Sequence, residues 1–127
     1  TGEHGTTFGG GPLVCRAASV FLDELDNGLQ EQVIARGEQL HAGLQMLKNE
    51  FTIVKEVRGR GLMLGLQLDL PAQEVQQALH KKGLLITCTK GDVLRILPPF
   101  VITEEQVADG LQRLREALAA FSPLPAK

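Results

Sequence analysis

Two stretches of this chain hold side chains of a kind that grips small anions. The first is Thr1-Gly-Glu-His-Gly-Thr-Thr-Phe-Gly-Gly-Gly-Pro12, a glycine-rich polar run that leads straight into an apolar, alanine-bearing segment. Thr6 and Thr7 offer hydroxyls, and Gly9-Gly10-Gly11 lets backbone N–H groups approach a ligand just ahead of a helix start. Unpaired N–H groups and the helix dipole both attract negative charge at such a place, which suits a phosphate. The run is not a P-loop, since it lacks the GK[ST] ending. Taken alone, a run like this is more often an ordinary loop before a helix. The second stretch is Val93-Leu-Arg-Ile-Leu-Pro-Pro99, with Arg95 planted in a hydrophobic strand before a double proline. On a strand Arg95 shares its face with Val93 and Leu97, so its guanidinium emerges from apolar surroundings. It either grips a carboxylate through two parallel hydrogen bonds or guards an edge strand against unwanted pairing. The pattern leaves both readings open.

No group in the chain looks fit to act on what these grips would hold. The lysines (Lys48, Lys55, Lys81, Lys82, Lys90, Lys127) fall mostly on solvated helix faces, turns or the tail. None occupies the desolvated setting that lowers an amine's pKa for covalent work. No Ser-His-Asp or paired-carboxylate arrangement suggests itself. His4, His41 and His80, with Cys15 and Cys88, show no CxxC, HxxxH or HExxH spacing, which speaks against a metal site. The two cysteines are expected to be buried, reduced thiols. Gly59-Arg-Gly-Leu-Met-Leu-Gly65 has the wrong spacing for a dinucleotide fingerprint and falls within a strand pattern. Grips without a reactive group point to part of an enzyme. The opening on Thr1, within a loop-like run, fits a piece whose upstream part lies elsewhere.

The bulk numbers agree with a soluble single domain. At 127 residues the chain is long enough to bury a core, and its 43% hydrophobic and 22% charged content is ordinary. A net charge of -2, with cations scattered singly apart from Lys81-Lys82, gives no case for nucleic acid. There is no run long enough to span a membrane and no signal peptide, so a cytoplasmic setting is expected.

The elements that must position the two grips follow from periodicity. Pro12 suits a first helical position, and Leu13, Val14, Ala17, Ala18, Phe21, Leu22 and Leu25 recur at helical spacing. Asn27-Gly28 interrupts that helix, with Asn27 able to cap the next. The second helix sets Leu29, Val33, Gly37, Leu40, Leu44 and Leu47 on one face and ends near Asn49. Thr52–Arg58 and Leu62–Asp69 then predict two strands around a Gly59-Arg60-Gly61 turn or bulge, with Leu62, Leu64, Leu66 and Leu68 on one side. Pro71 opens a short helix that Gly83 stops as a left-handed cap. Leu84–Thr87 and Val93–Leu97 predict two more strands around Lys90-Gly91-Asp92. Thr103-Glu-Glu-Gln106 is a capping box for a last amphipathic helix through Phe121. Ser122-Pro-Leu-Pro is a stop signal, with a frayed end expected beyond it. The order α-α-β-β-α-β-β-α predicts an α+β two-layer sandwich with a largely antiparallel four-stranded sheet and one core.

These segments also resemble a known family. His4-Gly-Thr-Thr-Phe-Gly-Gly-Gly-Pro-Leu-Val-Cys15 is similar to the HG[ST]TFGGNPLAC segment of class III (fold type I) pyridoxal-phosphate aminotransferases. Val57-Arg-Gly-Arg-Gly-Leu-Met-Leu-Gly65 resembles their VRGxGLMxG strand pair, and Gly83–Pro99 resembles their GLL…VxRxxPPL stretch. The resemblance runs over essentially the whole chain. It implies that residues 1–11 are an arm left over from a large domain and that 12–127 form the C-terminal small domain. It further implies pyridoxal 5'-phosphate as cofactor, with the cofactor-bonding lysine, the aspartate facing the pyridine nitrogen and the stacking aromatic in the large domain. No catalytic residue is then expected within this chain. Thr7 would reach across a homodimer to the partner subunit's cofactor phosphate, and Thr6 would lie beside an acylated substrate. Arg95 would grip the α-carboxylate of an amino acid, and 2-oxo acids would be the other substrates. Holding that carboxylate fixes which C–H bond stands perpendicular to the cofactor ring. Gly11 stands where the family usually has asparagine. As a helix cap, glycine costs only a few tenths of a kcal/mol relative to asparagine, so the helix is expected to survive with a looser Thr7 loop. Neither a stand-alone amino-acid-binding module nor a purely structural dimerisation domain would account for the Thr7 and Arg95 segments together.

Overall fold

The computed structural model describes residues 5–122; His4 and the tail from 123 onward lie outside them. The elements follow the predicted order. Helix α1 (Pro12–Glu24) starts at the proline, with Gly11 extended at its N-cap (φ −67°, ψ 151°) and making no side-chain cap. Its side chains join no core, and Leu13 is 83% exposed. Before α2 (Gln30–Glu50) the chain breaks at Asn27 (φ −88°, ψ 20°) and Gly28 (φ 101°, ψ 0°). Only glycine enters the second of these conformations freely. Asn27 therefore sits inside the break, three residues ahead of α2, and does not hold the capping position predicted for it. Two compact units result, Thr1–Glu31 and Gln32–Lys127.

The second unit contains the sheet and the core. Strands β1 (Val54–Arg60), β2 (Met63–Leu68), β3 (Thr87–Thr89) and β4 (Val93–Ile96) pair in the order β1-β2-β4-β3, every neighbour antiparallel. Leu62, Leu64, Leu66 and Leu68 are 3%, 2%, 0% and 2% exposed. The predicted alternation is therefore the buried face of the sheet. Leu94 joins it from β4, and Leu40, Leu44 and Leu47 of α2 pack into the same core. Helices α2, α3 (Ala72–Lys81) and α4 (Glu104–Ala119) supply the second layer through Val75, Leu79, Val107, Leu114 and Leu118. The architecture is the expected α+β sandwich with one sheet face left open.

Helix ends are set by local hydrogen bonds. Thr103 Oγ1 accepts from the Gln106 N–H (3.2 Å) and the Thr103 N–H donates to Gln106 Oε1 (3.0 Å), completing the capping box. At the end of α3 the Gly83 N–H donates to His80 O (3.0 Å) and the Leu84 N–H to Leu79 O (2.9 Å), with Gly83 at φ +77°. These two bonds are a Schellman termination. The following strand starts later than predicted, at Thr87 rather than Leu84. Gln76 Nε2 donates to the Ile86 carbonyl at 2.9 Å, and His80 Nε2 lies 3.1 Å from the same oxygen. Side chains of α3 thus occupy a carbonyl that a strand would have paired. Cys88 is half-buried on β3, but Cys15 is exposed on α1, contrary to the expectation of two buried thiols.

Helices α2 and α4 lie side by side in the same direction. Arg36 meets Glu104 at 3.0 Å near their starts, and Arg115 Nε donates to both Glu50 oxygens at 2.9 Å near their ends. Between them, a Cβ on Gly43 would overlap Leu111, so glycine permits the close approach. Three carboxyls titrate below their ordinary value in this layer. Glu50 does so through the hydrogen bond from Arg115, Glu105 through its own backbone N–H at the α4 start and then the Thr103 hydroxyl, and Glu116 through Lys82. Because these groups hold their protons less tightly when folded, the unfolded chain binds more protons in acid, and stability rises with pH there. This contribution is complete above the unfolded carboxylate value and is lost as pH falls through the lowered folded values. The urea midpoint should therefore drop between about pH 5 and about pH 3, modestly because the pairs are solvent-exposed. The drop should shrink in a Glu50→Gln/Glu116→Gln double variant; an identical drop in that variant would contradict the assignment.

Candidate anion-binding site

Register decides which side chains share the open face of the sheet. Arg58 lies opposite Gly65, Gly65 opposite Arg95, and Arg95 opposite Thr87, so one row crosses all four strands. The neighbouring row is Glu56, Gln67, Val93 and Thr89. Since β4 is an inner strand with partners on both sides, Arg95 guards no edge, and that reading of the sequence falls.

The two arginines of the row are in opposite states. Arg58 Nη1 donates to Glu56 Oε2 at 2.6 Å and to Gln67 Oε1 at 2.7 Å, while Gln67 Nε2 donates onward to Asp92 at 2.8 Å. Arg58 is thereby neutralised and fixed. Arg95 is exposed and makes no hydrogen bond or ion pair with any described residue. Gly65 lies between them without a side chain. A Cβ there would come within 3.3 Å of Val93 Cγ1 and 3.7 Å of Arg58 Cγ, so any larger residue would fill the space beside Arg95. The result is an open groove of about 440 Å³, which Arg60, Met63, Thr89 and Lys90 also line. Among the described residues no acid lines it. A free guanidinium fork in such a groove is suited to a planar carboxylate, which it binds bidentately. A smaller hollow of about 120 Å³ between α4 and the segment before β3 is lined by Leu84, Ile86, Ile96, Val107 and Leu111 among others, and offers no cation to an anion.

The first unit holds the other predicted residues. Thr6 and Thr7 are exposed ahead of α1. The Thr6 methyl occupies the place a Gly9 side chain would need, and Gly10 takes φ +77°. Gly11 provides no side-chain cap, which leaves the first N–H groups of α1 open to an outside acceptor. Hydroxyls and open N–H groups together make a phosphate-compatible donor set. Thr6 and Thr7 thus belong to one compact unit and Arg95 to the other. Sequence reasoning missed Gly65 and Lys90 as groove residues. The glycine stood in plain view within Gly59–Gly65, but its role depends on pairing with β4.

An α+β sandwich with an unpaired arginine on its open sheet face, preceded by a glycine-rich hydroxyl run at a helix start, narrows the class of protein sharply. Residues 1–118 match the family model Aminotransferase class-III, and the chain belongs to that family. It is similar to the mitochondrial acetylornithine aminotransferase of Neurospora crassa, 44% identical over 121 residues, covering 94% of this chain and 26% of that protein. Among solved structures it resembles acetylornithine aminotransferase from Elizabethkingia anophelis (TM-score 0.82, 34% identity, 95% of this chain and 33% of that one). It also resembles ornithine aminotransferase from Toxoplasma gondii (TM-score 0.82, 35% identity, 94% and 29%), a structure with pyridoxal phosphate at partial occupancy in its active site. The chain therefore spans between about a quarter and a third of the length of the proteins it matches.

Proposed function

We propose that this chain is the C-terminal small domain of an acetylornithine aminotransferase. The enzyme would move the δ-amino group of N-acetylornithine to 2-oxoglutarate in arginine biosynthesis, using pyridoxal 5'-phosphate as a cytoplasmic homodimer. The carrying observation is the unpaired Arg95 fork above Gly65, in a chain 44% identical to an acetylornithine aminotransferase. Residues 1–11 act as an arm from the large domain, and 12–127 as the small domain.

The donor set fits the two anionic ends of this chemistry and not its reacting centre. Lys48, Lys55, Lys81, Lys82 and Lys90 are all exposed, Lys55 pairing with Asp69 (2.7 Å) and Lys82 with Glu116 (2.9 Å). None of the five lies in a desolvated pocket of the kind that activates an amine for covalent work. Thr7, with the N–H groups ahead of α1, suits the cofactor phosphate of the partner subunit, and Arg95 suits the substrate. Pyridoxal phosphate, when bound, supplies a carbonyl for the amino group and a ring that accepts electrons. Arg95 holds the substrate α-carboxylate through two N–H···O bonds and so sets how far the reacting amine extends. Thr6 stands beside the acyl end. Fixing one end of a flexible substrate removes orientations that would otherwise have to be lost in the transition state.

The chain alone is expected to be inactive. Incubated with pyridoxal phosphate and then borohydride, it should yield no stoichiometric adduct on any single lysine by mass spectrometry. One fully labelled lysine would place the reacting centre in this chain and overturn the reading. A second reading, ornithine as donor, is favoured by relatives such as the ornithine aminotransferase of Staphylococcus carnosus, 39% identical over 119 residues. Comparing kcat/KM for acetylornithine and ornithine in the enzyme that includes this chain separates the two.

A further inference from the structure

A second recess lies on the other face of β4 from the Arg95 groove. It is the apolar hollow of about 120 Å³ between α4 and the segment before β3. Ile96 lines this hollow, while its neighbour Arg95 lines the groove, because successive side chains of a strand point to opposite faces. The walls are aliphatic, with Leu84, Ile86, Val107 and Leu111 among them. Of the described residues that line it, none is charged and Gln106 alone has a polar side chain. Its Oε1 is already engaged, accepting from the Thr103 N–H at 3.0 Å.

Hydrogen bonds hold the hollow open. The β3–β4 ladder stops where Thr87 faces Arg95, so Ile86 and Ile96, next in register, do not pair. The Ile86 carbonyl accepts instead from Gln76 Nε2 at 2.9 Å and lies 3.1 Å from His80 Nε2. Two residues earlier, the Leu84 N–H donates to the Leu79 carbonyl at 2.9 Å. Leu84–Ile86 is therefore tied to α3 at both ends. On the opposite wall Pro98 has no N–H with which to carry the ladder on. The two segments diverge, and the hollow is the space between them. Gly110 of α4 lines it as well, and a Cβ there would meet Leu84 Cδ1 at 3.9 Å, an ordinary contact. The helix leaves off a side chain at a place where one would fit.

We propose that this hollow is a binding site for a compact, uncharged apolar ligand about the size of one benzene ring. Its volume and lining approach those of an apolar protein cavity of about 150 Å³ that stays dry and takes up benzene or xenon. A guest of that size gains dispersion contacts with walls that otherwise face empty space. The absence of charge in the lining sets the ligand class: a carboxylate or ammonium would lose its hydration and find no partner. The site is separate from both anion grips and does not depend on the function proposed above.

The test is a titration of the 127-residue chain with benzene and with benzoate, followed by amide and methyl NMR. Benzene should shift the signals of Ile86, Ile96, Val107 and Leu111 saturably and raise the thermal midpoint, since it binds the folded state. Benzoate should leave those signals in place. Gly110→Leu puts a side chain into the hollow and removes a glycine from a helix interior, so it keeps the fold. It should weaken benzene binding at least about tenfold, and Gly110→Ala should weaken it less. No saturable shift with benzene, equal shifts with benzoate, or undiminished binding by a folded Gly110→Leu protein overturns the proposal. Shifts at the rim residues Leu85 and Leu97 that grow with protein concentration, and that benzene does not reverse, would assign the hollow to a second copy of the chain and overturn it too.

Discussion

Arg95→Gln in the proposed full-length aminotransferase should lower kcat/KM for the amino donor by about a hundred- to ten-thousandfold. Two charge-assisted hydrogen bonds are lost, each worth about 1.5–3 kcal/mol net when made to an ion, and each 1.4 kcal/mol is a factor of ten. The fall should appear largely as a raised KM, because the carboxylate is held in the ground state as well as the transition state. Arg95→Lys keeps the charge but replaces a planar fork by a point donor, and should recover only part of the loss. Stability should barely move, within about 0.5 kcal/mol, since Arg95 is exposed and has no described partner whose removal would leave a buried group unsatisfied. Steady-state kinetics beside thermal unfolding distinguishes these effects. Unchanged turnover in Arg95→Gln would remove the basis of the proposed function. Gly65→Val offers an independent check: it leaves Arg95 in place but fills the space beside it, and should weaken the same substrate.

Local chemistry made much of the fold readable. The Leu62–Leu68 alternation, the capping box at Thr103 and the left-handed stop at Gly83 each depend on neighbours within a few residues. Each was legible for that reason. What resisted reading depends on partners distant in sequence. Nothing near Arg95 says that β4 inserts between β2 and β3, yet that placement turns a suspected edge guard into the centre of an open face. The delayed start of β3 has the same origin, because its cause is Gln76 and His80 on another element. Lys90 is the sharpest case. Its sequence neighbours mark a turn, but the positive φ and the groove it lines exist only once β3 and β4 have paired.

Gly59→Ala should be the most damaging small substitution in the β1–β2 hairpin, costing about 2–6 kcal/mol. Gly59 sits at φ +125°, outside the region that alanine tolerates, at a strain cost of about 1–3 kcal/mol. A Cβ there would overlap the Met63 carbonyl oxygen and lie 2.9 Å from Leu64 Cα. These are backbone atoms of the paired strand, so relief requires the ladder itself to shift, adding about 1–3 kcal/mol. Gly61→Ala is the matched control. It too has positive φ (+54°), but a Cβ there meets nothing within 4 Å, so it should cost only about 1–2 kcal/mol. Urea unfolding of the two variants isolates the overlap; equal midpoints would show that the close approach at Gly59 carries no energy. The consequence extends to the groove. Displacing Met63 and Leu64 moves β2, and Gly65 moves with it, so whatever Gly59→Ala protein remains folded should also hold a carboxylate at Arg95 more weakly than Gly61→Ala protein of similar foldedness.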